Sequence, residues 1–98
     1  MNSLAADPDE QPKLIQFDLE DRDTILSLYT VELDIENRFK LATLKGKGIL
    51  VQLNAYDLDE LLGSIAAVAN HEKDSKLRRK LDALYYRVNE KLETQFPK

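Results

Sequence analysis

The residue types best suited to chemistry gather at one place in this chain, Ala69-Asn70-His71-Glu72-Lys73-Asp74. His71 is the only histidine. An imidazole that titrates near neutrality can serve as a general base or a metal ligand. Both roles need partners. A lone histidine completes a metal site only where Asp and Glu supply the remaining ligands, and Glu72 and Asp74 are near in sequence without having to converge. A general base needs a nucleophile or a substrate pocket beside it, and no such motif accompanies His71. The stronger reading is architectural. At a helix C-terminus the helix dipole favours protonated histidine, which can bond a terminal carbonyl, and Asn70 is a natural helix-end residue. No catalytic or metal-binding residue and no cofactor is therefore assigned, and a hydrolase built on His71 and nearby acids is the least favoured function.

A second cluster follows directly. Lys73, Lys76, Arg78, Arg79 and Lys80 place five cations within eight residues. Such a run can contact phosphate groups or an acidic partner. It has no Gly-rich phosphate loop, no interleaved aromatics for stacking bases and no second basic segment to form a groove. A solvated face, compensated by Glu72, Asp57, Asp59 and Glu60, is the preferred expectation. The carboxylates Asp18, Glu20, Asp21 and Asp23 form a third group. Paired carboxylates can hydrolyse glycosides or hold a divalent ion. Their spacing is not that of an EF-hand, and first-turn helix acids explain them more simply. Tyr85 and Tyr86 are adjacent, so on a helix they point about 100° apart. One should pack inward and the other outward; core or boundary packing is the preferred reading, with an exposed Tyr86 beside Tyr56 or Tyr29 as an interface anchor the alternative.

Positioning these groups requires helices, and composition permits them. The 98 residues suit one domain, and 43% are hydrophobic, enough for a modest core. With no cysteine, disulfides and thiolate chemistry are excluded, and a cytoplasmic location fits. The N-terminus lacks the basic n-region and apolar run of a signal peptide. No stretch approaches the roughly 18 apolar residues of a membrane span. A net charge of −4 disfavours bulk contact with nucleic acid or anionic lipid.

Along the chain, residues 1–12 read as a disordered acidic tail and 13–98 as a single small globular domain. Leu14–Phe17 is a short apolar run with strand character. Asp18 suits an N-cap for a helix at about 19–29, whose apolar stripe would be Leu19, the stem of Arg22, Ile25, Leu26 and Tyr29. The segment 30–44 is ambiguous. A loop followed by a helix at about 34–43, capped by Asp34, is preferred; a hairpin arm at 39–44 is the competing reading. Lys45-Gly46-Lys47-Gly48 is a turn, and Ile49–Leu53 is the clearest strand. Asn54 and Asp57 resemble a capping box ahead of Leu58, Leu61, Leu62, Ile65, Val68 and Ala69, which trace one helical face. Gly63, Ala66 and Ala67 would let another helix approach closely. A second stripe, Leu77, Leu81, Leu84, Val88 and Leu92, predicts a helix at about 74–94 stopped by Pro97. A joint as short as Asn70–Asp74 forces the two into an antiparallel hairpin or a sharp corner.

Several of these stretches carry a resemblance. Asp57-Leu58-Asp59-Glu60-Leu61-Leu62-Gly63, Ile65-Ala66-Ala67, Ala69-Asn70-His71-Glu72-Lys73-Asp74, and Lys76-Leu77 with Lys80-Leu81-Asp82-Ala83-Leu84 resemble a small uncharacterised bacterial domain. That domain occurs at the tail of some plasmid-type open-reading-frame-3-like proteins and in small standalone relatives. Phe17, Leu19, Arg22, Asp23, Ile25 and Leu26 are similar to its start, and the likeness covers about 15–88. It implies a small α-rich module and brings no activity, cofactor or catalytic residue.

The expected fold is thus α+β and mostly α: three to four helices, a C-terminal antiparallel helical hairpin and a short two-stranded sheet. The expected function is a non-enzymatic protein interaction or oligomerisation module, with a protein partner or self-association and no membrane contact. The alternative is a regulatory accessory touching nucleic acid through residues 73–80.

Overall fold

The computed structural model describes residues 7–97. It is an α+β fold with the element order β1 (Lys13–Asp18), α1 (Leu19–Ser27), α2 (Leu33–Lys40), β2 (Thr43–Lys45), β3 (Gly48–Leu53), α3 (Ala55–His71) and α4 (Ser75–Gln95), preceded by a 3-10 turn at Pro8–Glu10. The sheet has three strands rather than two, ordered β1-β3-β2 and wholly antiparallel. The reason is local. Ile49–Leu53 has two edges to satisfy, and both candidate partners are used, Leu14–Phe17 on one side and the end of 39–44 on the other. Ile15 faces Val51 and Phe17 faces Ile49 across β1 and β3. Their period-2 alternation turns these four residues toward the helices, where each is at most 2% exposed.

Two glycines make the hairpin possible. Gly46 adopts φ 60°, a left-handed conformation that side chains resist. Gly48 has the Phe17 carbonyl oxygen 2.4 Å from where a Cβ would stand, so β1 approaches this point as only glycine allows. Gly63, in contrast, is exposed with open space around it. It does not serve the close helix approach expected of it.

The ambiguous segment contains both readings in succession. α2 ends at Lys40 rather than 43, and Thr43 begins β2. Glu32, not Asp34, occupies the N-cap position and makes no side-chain bond. Asp34 lies in the first turn and pairs with Arg38 at 3.0 Å. α1 also stops early, at Ser27, and leaves Tyr29 77% exposed. Of the expected stripe, Ile25 is buried and Leu26 packs against the core, whereas Leu19 is exposed and Asp21 and Thr24 are buried in addition. A buried acid replaces Leu19 because Arg87 reaches it from α4, as described below.

Of the expected tail 1–12, residues 1–6 lie outside the described residues. Asp7–Pro12 are held against α3 instead. Tyr56 Oη donates to Asp7 at 2.6 Å, and Asn54 Nδ2 donates to the Glu10 carbonyl at 3.3 Å. The Tyr56 bond draws the Asp7 carboxyl below its ordinary range, and Asp7 pushes the Tyr56 phenol up to about 12.

The helical hairpin has the expected sequence logic. Asn54 and Asp57 form a reciprocal capping box at the start of α3. Leu58, Leu61, Leu62, Ile65, Val68 and Ala69 are all buried, as are Leu81, Leu84 and Val88 of α4. The sheet meets α4 at its C-terminal end. Lys13 Nζ donates to the Gln95 carbonyl and lies over the Phe96 ring, and Lys91 lies over Phe17. The helical joint therefore sits at the far end of a molecule measuring 53 × 29 × 24 Å.

A candidate interaction surface at the helical joint

His71 is the last residue of α3, Glu72 its C-cap, and Asp74 the N-cap of α4. The Asp74 carboxylate accepts from the backbone N–H of Lys76 at 2.9 Å and of Leu77 at 3.3 Å, and Glu72 accepts from Asp74 N–H at 3.0 Å. Both acids are thus occupied in turning the chain and starting a helix. Asn70 and His71 are exposed at the helix end. Among the described residues no hydrogen bond joins His71 to a terminal carbonyl, and no group of three or more His, Asp and Glu comes together in a metal-binding arrangement.

Lys73, Lys76, Arg78, Arg79 and Lys80 are all exposed around this corner. The compensation expected from acidic neighbours is not made. Asp57 pairs with Arg38 at 2.8 Å and accepts from Asn54 N–H, at the opposite end of α3. Asp59 and Glu60 are exposed near that same end. Among the described residues none of the five cations is in an ion pair. Five cations against two carboxylates give residues 72–80 a local charge of +3. The chain as a whole carries −4, so the remainder carries −7. Charge is segregated, with a basic tip on an acidic body. Separated charges on this scale produce a directional field at distances up to the Debye length, about 8 Å at physiological salt.

The tip also presents apolar surface. Leu77, expected in the buried stripe, is 40% exposed because α4 has begun only two residues earlier. It lines a shallow cleft with Asp74, Lys76 and Lys80. Farther along α4, Tyr85 packs against the core while Tyr86 is 74% exposed, the rings meeting edge to face at 6.4 Å.

The first acidic group is dispersed. Asp18 caps α1, Asp23 pairs with Arg22 at 2.8 Å, Glu20 is exposed, and Asp21 is buried. Asp21 receives two hydrogen bonds from the Arg87 guanidinium, at 2.9 and 2.7 Å, and this pairing raises the Arg87 pKa further. Sequence reasoning gave no hint of it. The two residues lie 66 positions apart, and neither stands in a motif. It also missed the outer sheet surface, where Leu14 and Leu41 are 62% and 84% exposed beside Leu50. Period-2 alternation in Leu14–Phe17 carried that signal.

Among the described residues no helix is long and apolar enough to cross a membrane. No family model, curated protein or solved structure matches the chain.

Proposed function

We propose that the chain is a non-enzymatic protein interaction module whose contact element is the tip of the helical hairpin and whose partner is an acidic protein segment. One observation carries this reading: five exposed cations, in no ion pair among the described residues, gather on a corner set apart from an acidic body, with Lys76 and Lys80 flanking the half-exposed Leu77. An acidic segment bearing an apolar side chain meets both features at once, gaining charge attraction at the rim and burial of the leucine at the centre. A cytoplasmic setting suits a chain that uses no cysteine.

Contact with nucleic acid is the second reading, and the same uncompensated cations favour it. Two features count against it. The tip is a convex corner about 10 Å along the helix, too short to track a backbone. A long polyanion would also run past the tip onto a body of charge −7, whereas a short acidic segment would not.

The test is fluorescence anisotropy with two labelled probes of equal charge, an Asp/Glu peptide containing leucine and a single-stranded oligonucleotide. The peptide is expected to bind, to weaken as salt rises, and to lose about tenfold or more in affinity on Lys73→Glu/Arg78→Glu. Preferential binding of the oligonucleotide would favour the second reading. Binding of neither probe at low salt would remove the tip from consideration.

A further inference from the structure

α4 carries a second stripe, on the face opposite Leu81, Leu84 and Val88. Lys76, Arg79, Ala83, Tyr86, Glu90 and Glu93 recur at intervals of 3, 4, 3, 4 and 3, and all six are exposed. This is the seam spacing of paired helices. Its chemistry reads in one direction as two cations, a small residue, an aromatic and two acids. Reversed, it is its own complement.

We infer that α4 pairs antiparallel with α4 of a second copy of the chain along this seam. The inference rests on the reading of the chain as an interaction module, and it adds a partner along the length of α4 that shares Lys76 and Arg79 with the tip. With the two-fold axis between Ala83 and Tyr86, Lys76 meets Glu93 of the second copy, Arg79 meets Glu90, and Ala83 meets Tyr86. Symmetry makes each contact twice. The methyl side chain of Ala83 leaves room for the Tyr86 ring, which is 74% exposed in the single chain. Lys76, Arg79 and Glu90 are in no ion pair among the described residues. Glu93 accepts a 2.7 Å bond from Asn89 and keeps a second oxygen. On one flank Lys80 approaches Arg87, whose charge is already held by Asp21 at 2.7 Å.

The orientation is specified by the charges. A parallel pair would set Lys76 against Lys76, Arg79 against Arg79 and Glu90 against Glu90, which is self-repelling. The free edge of β1 is a poorer route to self-association. Lys13 points to the inner face of that edge strand, over Phe96, and an inward lysine blocks edge-to-edge pairing. Because the seam is built from exposed charges around a single pair of aromatic contacts, the dimer is weak and salt-sensitive.

Sedimentation equilibrium at low ionic strength tests this on the full chain. A monomer–dimer equilibrium is expected that shifts toward monomer as salt rises. Arg79→Glu or Glu90→Arg, each turning two attractive contacts repulsive, should raise the dissociation constant about tenfold or more. The double variant Arg79→Glu/Glu90→Arg should return it to near the starting value. All positions are exposed, and unchanged far-UV circular dichroism confirms the fold. A chain that stays monomeric at every concentration, or a double variant weaker than either single one, overturns the proposal. Glu90 lies ten residues beyond Lys80, so Glu90→Arg should not weaken acidic-peptide binding at the tip. Loss of the dimer with peptide binding intact thus fails only the seam, whereas loss of peptide binding in the unaltered chain fails the tip.

Discussion

Replacing Arg87 with alanine is expected to lower folding stability by about 3 kcal/mol, read as a drop in Tm of roughly 10–20 °C. The Asp21 side chain is only 5% exposed and takes both of its strong hydrogen bonds from Arg87. Removing the guanidinium strands a charge in the interior. That situation typically costs about 3–5 kcal/mol. The lower end applies because the Arg87 side chain is 43% exposed, so water reaches the site and screens it. The bond also ties α1, the helix after the first strand, to the middle of α4. Loss should therefore appear in urea unfolding as a cooperative shift of the whole transition. Asp21→Asn combined with Arg87→Met should cost less than the two single changes added together, since neither charge is then left alone. A loss under about 0.5 kcal/mol for Arg87→Ala, the range of an ordinary surface substitution, would show that Asp21 is solvated.

Phe17→Ala should have the largest effect in the core, about 3–5 kcal/mol. Phe17 is 1% exposed, meets Phe39 edge to face at 4.9 Å, and lies beneath the Lys91 ammonium at 5.1 Å. It is the point at which β1, α2 and α4 touch one another. Truncation leaves a cavity walled by three elements that cannot all close on it. A chain of this size has only about 5–15 kcal/mol of stability in total, so the variant should be marginal at 37 °C. Leu14→Ser, three residues away on the opposite sheet face and 62% exposed, is the control. It should change stability by no more than about 0.5 kcal/mol. Equal effects at the two positions would mean that the helices cover the other face of the sheet.

These two positions also mark how far the sequence could be read. The hairpin was legible because long stripes of leucine at helical spacing admit one packing, and because Asn54, Asp57 and Asp74 are strong local start signals. Phe17 was legible as a strand residue from the short apolar run that it ends. The Asp21–Arg87 bond was not, since two charged residues far apart in sequence leave no periodic trace. Instead, the buried acid broke the apolar stripe expected of α1. Residues 30–44 stayed ambiguous because a two-turn helix and a three-residue edge strand are each shorter than the window in which a period can be recognised. The basic cluster was visible as a run of charges. Its lack of compensation was not, because Asp57 is drawn to Arg38 by the way α2 lies against the start of α3. Sequence proximity suggested acidic neighbours for the tip, and the fold assigns the nearest of them elsewhere.

That difference changes the meaning of Asn70–Asp74. His71 ends a helix, Glu72 and Asp74 turn the chain, and the cations that follow are in no ion pair among the described residues, with Lys76 and Lys80 beside Leu77. In the proposed function the joint positions a contact surface. The most direct test is a two-dimensional amide NMR titration of the unaltered chain with a leucine-containing acidic peptide at low salt. The expected result is a set of concentration-dependent shifts confined to residues 73–80, with Leu77 among the largest and with the sheet residues 13–18 and 48–53 unmoved. Shifts centred on the sheet, or none at any peptide concentration, would contradict the assignment of the hairpin tip as the contact element.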